Sequence, residues 1–139
     1  MKIETYTPDG MFKPIGPYSH IAKAGPFINI SGTPGIDPLT GELAGQDVYT
    51  QTKQLLRNLQ TLLNSVGASF EHVLHVHVFL KNVEDFLEMN RAYSEAFKRH
   101  VPARTVICVA DLPKKGALLT MNLNAILGDN NDSTGFFRG

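Results

Sequence analysis

The chain has 139 residues, 42% of them hydrophobic and 19% charged, with 13 basic and 13 acidic side chains that cancel. That is enough chain for one self-sufficient core and too apolar a composition for a disordered segment. The balanced charge removes the electrostatic case for a nucleic-acid partner, which rests on Lys and Arg neutralising phosphates. The single cysteine, Cys108, excludes an internal disulfide framework and suits a reducing compartment. No apolar run approaches the ~20 residues of a membrane span, and the opening M-K-I-E-T-Y lacks the apolar stretch of a signal peptide, so no membrane partner is expected and cytoplasm is the expected location.

Residues 2–6 alternate as a short strand that Thr7-Pro8-Asp9-Gly10 ends as a turn. Residues 12–19 (F-K-P-I-G-P-Y-S) are too rich in Pro and Gly for regular structure, yet apolar Phe12, Ile15 and Tyr18 predict an ordered loop lying against the body. Residues 20–24 and 27–31 are short strands with Ala24-Gly25-Pro26 as their link, and residues 37–42 have the composition of an exposed turn. Residues 47–66 form the clearest helix. Val48, Thr52, Leu55, Leu56, Leu59, Leu62, Leu63 and Val66 make one apolar stripe at spacings of three and four. Asp47 can cap it and Gly67 can stop it. Residues 73–80 read as a strand. Asn82 can cap a second helix whose inner face includes Phe86, Met89, Asn90, Tyr93 and Phe97, and Pro102 ends that helical region. Strands at 105–110 and 117–127 follow, so residues 1–128 read as one domain and the polar residues 129–139 as a flexible tail.

Strands interleaved with two one-sided helices predict an α+β fold, a mixed sheet with both helices packed on one face. If the opposite face is apolar, self-association would cover it.

Arg104 begins a β-branched run, and a guanidinium entering a sheet needs an anionic partner, because an unpaired buried charge is very costly. The partner is either a carboxylate of the protein or the carboxylate of a ligand, which a planar guanidinium can clamp with two hydrogen bonds. Asn90, an amide on an inner helix face, needs partners that a backbone group or a ligand could supply. Tyr18 either packs or binds. Cys108 is expected to face apolar surroundings, and no neighbour would activate it as a nucleophile. His75 and His77 share one sheet face, but no motif supplies the third ligand of a zinc site, which leaves a solvent-facing or subunit-facing pair. Neither a phosphate loop nor a Ser/His/Asp pattern is recognisable.

Five stretches then stand in order: I-G-P-Y-S (15–19), F-I-N-I-S-G (27–32), D-P-L-T-G-E-L (37–43), V-F-L-K-N-V-E-D-F-L-E-M-N-R-A-Y (78–93) and P-A-R-T-V-I-C-V-A-D-L-P-K-K-G-A-L-L (102–119). Together, over residues 15–126, they resemble the reactive-intermediate deaminase (Rid, or YjgF-type) family, also labelled endoribonuclease L-PSP. The resemblance implies a chorismate-mutase-like fold and a homotrimer whose sheets form a central barrel, with ligand clefts between neighbouring subunits. It further implies hydrolysis of small 2-imino acids to 2-oxo acids and ammonia, with no metal or organic cofactor. Arg104 matches the family arginine that clamps the imine carboxylate. Tyr18 matches the loop tyrosine of the cleft, Asn90 the helix asparagine beside it, and Ser31 and Gly32 the adjoining strand end. The departure is Thr120, where well-known deaminases carry a glutamate that positions the attacking water. A threonine hydroxyl can hold a water but cannot serve as a base near neutral pH. Val106 stands at the family's cysteine position, with Cys108 offset by two. The sequence therefore supports an imino-acid deaminase or, as the alternative, a non-catalytic carboxylate-binding or regulatory trimer. A ribonuclease fits poorly with the neutral charge and the absence of a basic-aromatic stripe.

Overall fold

The computed structural model describes residues 1–128, so the tail expected at 129–139 lies outside the described residues. The strands are Ile3–Tyr6 (β1), Ile21–Ala24 (β2), Phe27–Thr33 (β3), Val73–Leu80 (β4), Ala103–Cys108 (β5) and Leu119–Ile126 (β6), with helices Val48–Ser65 (α1) and Phe86–Ala96 (α2). They make one sheet in the order β1-β2-β3-β6-β4-β5. Only the β4–β5 pair is parallel, and α2 is the crossover that such a pair requires.

α1 forms where the stripe predicts it. Leu55, Leu59, Leu62 and Leu63 are fully buried, the Asp47 carboxylate accepts a 2.9 Å hydrogen bond from the Thr50 N–H, and Gly67 takes φ +80 just past the end. Three polar residues share the buried face: Thr52 donates back to the Val48 carbonyl at 2.6 Å, and Gln51 and Asn58 hold loops. Gln51 donates from Nε2 to the carbonyls of Gly45 (2.9 Å) and Gly116 (3.1 Å), and its Oε1 accepts from the Leu118 N–H at 2.8 Å. Asn58 Nδ2 donates to the carbonyls of Pro34 (3.2 Å) and Ile36 (2.8 Å). α1 is therefore a scaffold for both loops that flank the start of β6.

Both helices lie on one face of the sheet, and alternation does the sorting. Ile28, Ile30, Val76, Val78, Leu80, Met121 and Leu123 point to the helices and form one core with Met89, Tyr93 and Phe97. Asn29, His75, His77, Thr120, Asn122 and Asn124 occupy the alternate positions, on the face that no helix covers. That face is mixed: it carries Phe27, Phe79 and Ile107 beside a polar network in which His75 Nε2 meets Thr105 Oγ1 at 2.9 Å, His77 Nδ1 meets Asn122 Oδ1 at 2.9 Å, and Asn124 donates to Asn29.

Three local expectations are corrected. β5 begins at Ala103, two residues early, so Arg104 lies within the strand rather than before it. The second helix begins at Phe86 after a 3-10 turn at Val83–Asp85, and the Asn82 side chain makes no cap bond. Cys108 is exposed, because β5 is an edge strand with no neighbour beyond it. No helix among the described residues is long and apolar enough to cross a membrane.

Candidate functional site

The residues singled out in the sequence fall into two groups on opposite faces of the sheet. The first surrounds Arg104. In the parallel register Arg104 stands level with Val76, which turns it to the helix side at the sheet edge. Its guanidinium carbon lies 4.7 Å from the centroid of the Tyr93 ring and 5.9 Å from that of Phe86, both on α2. No carboxylate is within ion-pair reach of it among the described residues, where the four ion pairs involve Lys53, Lys81 and Arg91. The internal ion pair is therefore not what satisfies Arg104. The charge rests half-buried against aromatic faces, which lowers the cost of holding it there without an anion.

Two buried polar atoms of α2 are also unpaired: Asn90 Oδ1 and the Oη of Tyr93, the ring under Arg104, find no hydrogen-bond partner among the described residues. Burial pushes the Tyr93 phenol up to about 12, with the Arg104 charge opposing that rise. It is a neutral donor at physiological pH. The Arg104 cation and the Tyr93 hydroxyl can both donate to a carboxylate, whereas the Asn90 oxygen can only accept from a donor such as an N–H.

The second group lines an open cleft of about 630 Å³ on the uncovered face, where Tyr18, Ser31, Gly32, Lys114, Thr120 and Asn122 meet. A register shift in β3 between Ile30 and Thr33 opens the strand there. The Ser31 hydroxyl donates to the Ser19 carbonyl at 2.7 Å and the Ser31 N–H to that of His20 at 2.9 Å, so Ser31 fastens the Tyr18 loop to the strand. His20 fastens the other end, with Nε2 2.7 Å from the Phe12 carbonyl oxygen. The Pro/Gly loop is ordered as expected, although Ile15 stays 58% exposed and only Phe12 is buried. Neither Asn90 nor Arg104 reaches this cleft.

The family pattern described as endoribonuclease L-PSP matches residues 10–127. The chain belongs to this family. A RutC family protein of Pyrococcus horikoshii is 46% identical over 102 residues, covering 73% of this chain and 81% of its own length. The human 2-iminobutanoate/2-iminopropanoate deaminase is 38% identical over 114 residues, 82% of each chain. Among solved structures, E. coli TdcF with bound serine superposes with a TM-score of 0.84 at 27% identity, over 90% of this chain and 99% of that one.

Within this L-PSP fold, three site features escaped the sequence reading. Tyr93 looked like one more apolar position on α2. Asn122 carried no motif. Lys114 sat in an unremarked Pro-Lys-Lys-Gly loop, although a cation in a turn between two strands is a signal that could have been weighed. His75 and His77 stack with ring centroids 4.4 Å apart, and no cluster of three or more metal-ligating side chains occurs among the described residues.

Proposed function

We propose that this protein hydrolyses small 2-imino or enamino acids to 2-oxo acids and ammonia, as a cytoplasmic homotrimer with Arg104 anchoring the substrate carboxylate. The observation that carries this is Arg104 lying over the Tyr93 ring with no ion-pair partner among the described residues, beside a tyrosine hydroxyl that is itself unpaired there. The likeness to the human imino-acid deaminase and to a serine-bound structure supports an amino-acid-like ligand. Because Arg104 and the Thr120 cleft face opposite sides of the sheet, one small ligand cannot touch both within one copy. A neighbouring copy whose Arg104 edge meets this cleft would complete the site and cover the face that no helix covers.

In that composite site, Arg104 holds the carboxylate and fixes the imine carbon. Water, hydrogen-bonded by the Thr120 hydroxyl, adds its oxygen to that carbon as the C=N electron pair moves to nitrogen, which takes up a proton. The C–N bond then breaks, its electrons leaving with ammonia, as the oxygen loses its proton and the carbonyl forms. No carboxylate lines the cleft to accept the water's proton. Lack of a positioned base costs about 10²–10⁴-fold in rate, and an already electrophilic imine oriented by Arg104 retains part of the acceleration.

The same absence supports the second reading, a carboxylate binder without turnover. Release of 2-oxobutanoate and ammonia from 2-iminobutanoate, generated in situ by an amino-acid oxidase, separates them. Acceleration over buffer that disappears in Arg104→Ala is the expected result. Saturable 2-oxobutanoate binding with no acceleration would favour the binder, and full activity in Arg104→Ala would overturn the anchor.

A further inference from the structure

Among the described residues, the cleft that holds Thr120 is lined by one cation, Lys114, and by no anion. Lys114 is half-buried and has no ion-pair partner among the described residues. The acid of its own loop, Asp111, is engaged elsewhere, 3.5 Å from the Lys81 ammonium and accepting from the Leu112 N–H at 2.8 Å. Glu42 lines a neighbouring depression that Lys114 and Lys115 also border, but it forms no ion pair with Lys114. Buried Gln51 clamps the backbone at Gly116 and Leu118, which holds the loop that carries Lys114 beside the cleft. Asn122 adds polar atoms on the same wall, and Asn29 and Asn124 extend it.

We infer that this cleft selects substrates with a second carboxylate, and that Lys114 is the specificity-determining residue. The inference rests on the composite site proposed above. One carboxylate, next to the reacting carbon, is held by Arg104 of the neighbouring copy, and the distal one is held by Lys114. A monocarboxylate would leave the Lys114 ammonium desolvated beside an alkyl chain, which disfavours it. With threonine at 120, nothing in the cleft repels a second anion. The substrate class is thus a short 2-imino or enamino dicarboxylic acid.

The test compares 2-oxoglutarate with 2-oxopentanoate, two stable five-carbon 2-oxo acids that differ only in the distal carboxylate. Their affinities are measured by isothermal titration calorimetry on the full chain at fixed ionic strength. The wild type should bind 2-oxoglutarate more tightly by about ten- to a hundredfold, the range of a charge-assisted hydrogen bond. Lys114→Met should bring that ratio close to one, and Lys114→Glu should invert it. Equal or reversed affinities in the wild type, no binding of 2-oxoglutarate, or an unchanged ratio in Lys114→Met would each overturn the inference. Arg104→Ala reports on the underlying site separately. If it loses both ligands while the ratio ignores Lys114, the anchor stands and the specificity assignment falls. If it keeps both, the anchor itself is wrong.

Discussion

Tyr93 buries a hydroxyl that nothing in its own chain satisfies, and its stability and binding roles separate on substitution. Tyr93→Phe keeps the ring beneath Arg104 and removes only the unpaired oxygen. Unfolding stability at pH 7 should stay level or rise by up to about 1 kcal/mol, because an orphaned buried polar group opposes folding. Affinity for a 2-oxo acid should fall about tenfold if that hydroxyl meets the ligand. Denaturation at several pH values adds a signature. The folded-state value lies above the ordinary value of 10, so the unfolded chain loses its proton first. This stability component is complete below pH 10 and declines as the pH rises towards 12. The stability of Tyr93→Phe relative to wild type should therefore increase across that window and hold constant below it. Thr120 offers the complementary gain of function. Thr120→Glu supplies the missing proton acceptor, and turnover of 2-iminobutanoate at saturating substrate should rise by about 10²-fold or more. An unchanged rate would mean that position 120 does not face the reacting carbon.

At the scale of elements, α1 fixes the geometry of the cleft, and its cap is the accessible handle. Asp47→Ala removes the side-chain acceptor for the Thr50 N–H and should cost about 1 kcal/mol at neutral pH, read by urea denaturation. That N–H is the main cause of an Asp47 carboxyl held below its ordinary value of 3.8. The cap's contribution is therefore present above that value and lost as the pH falls through the lower folded one, so wild type and variant should converge in acid. The elements themselves were legible, because a stripe of leucines and the alternation in β4 and β6 follow directly from burial on one side. Gln51 and Asn58 were not legible as loop clamps. Their partners are carbonyls 65 and 22 residues away along the chain, and only the packed fold brings them together. The direction of Arg104 was hidden for a similar reason. The start of β5 is set by parallel pairing with β4, and a strand expected only from residue 105 leaves Arg104 outside the alternation that would assign it a face. The resemblance supplied the identities of Tyr18, Asn90 and Arg104 but not their division between two faces.

At the scale of the molecule, that division is the main consequence of the fold. In the composite site proposed above, the edge that carries Arg104 and the face that carries Thr120 each supply half, which ties activity to assembly. Gly32 allows a direct test, since a Cβ added there meets nothing within 4 Å and points into open space. Gly32→Phe should therefore fill the cleft without disturbing the core. Expressed alone, Arg104→Ala and Gly32→Phe should both be inactive on 2-iminobutanoate. Co-expressed with separate tags and purified through both, they should recover activity, because mixed trimers contain sites whose arginine and cleft come from the two unmutated halves. Each mixed trimer, whatever its composition, holds one intact site of three, so purification through both tags predicts roughly a third of the wild-type sites. Recovery at that level is the result this account predicts, and mixed assemblies as silent as the separate variants would contradict it.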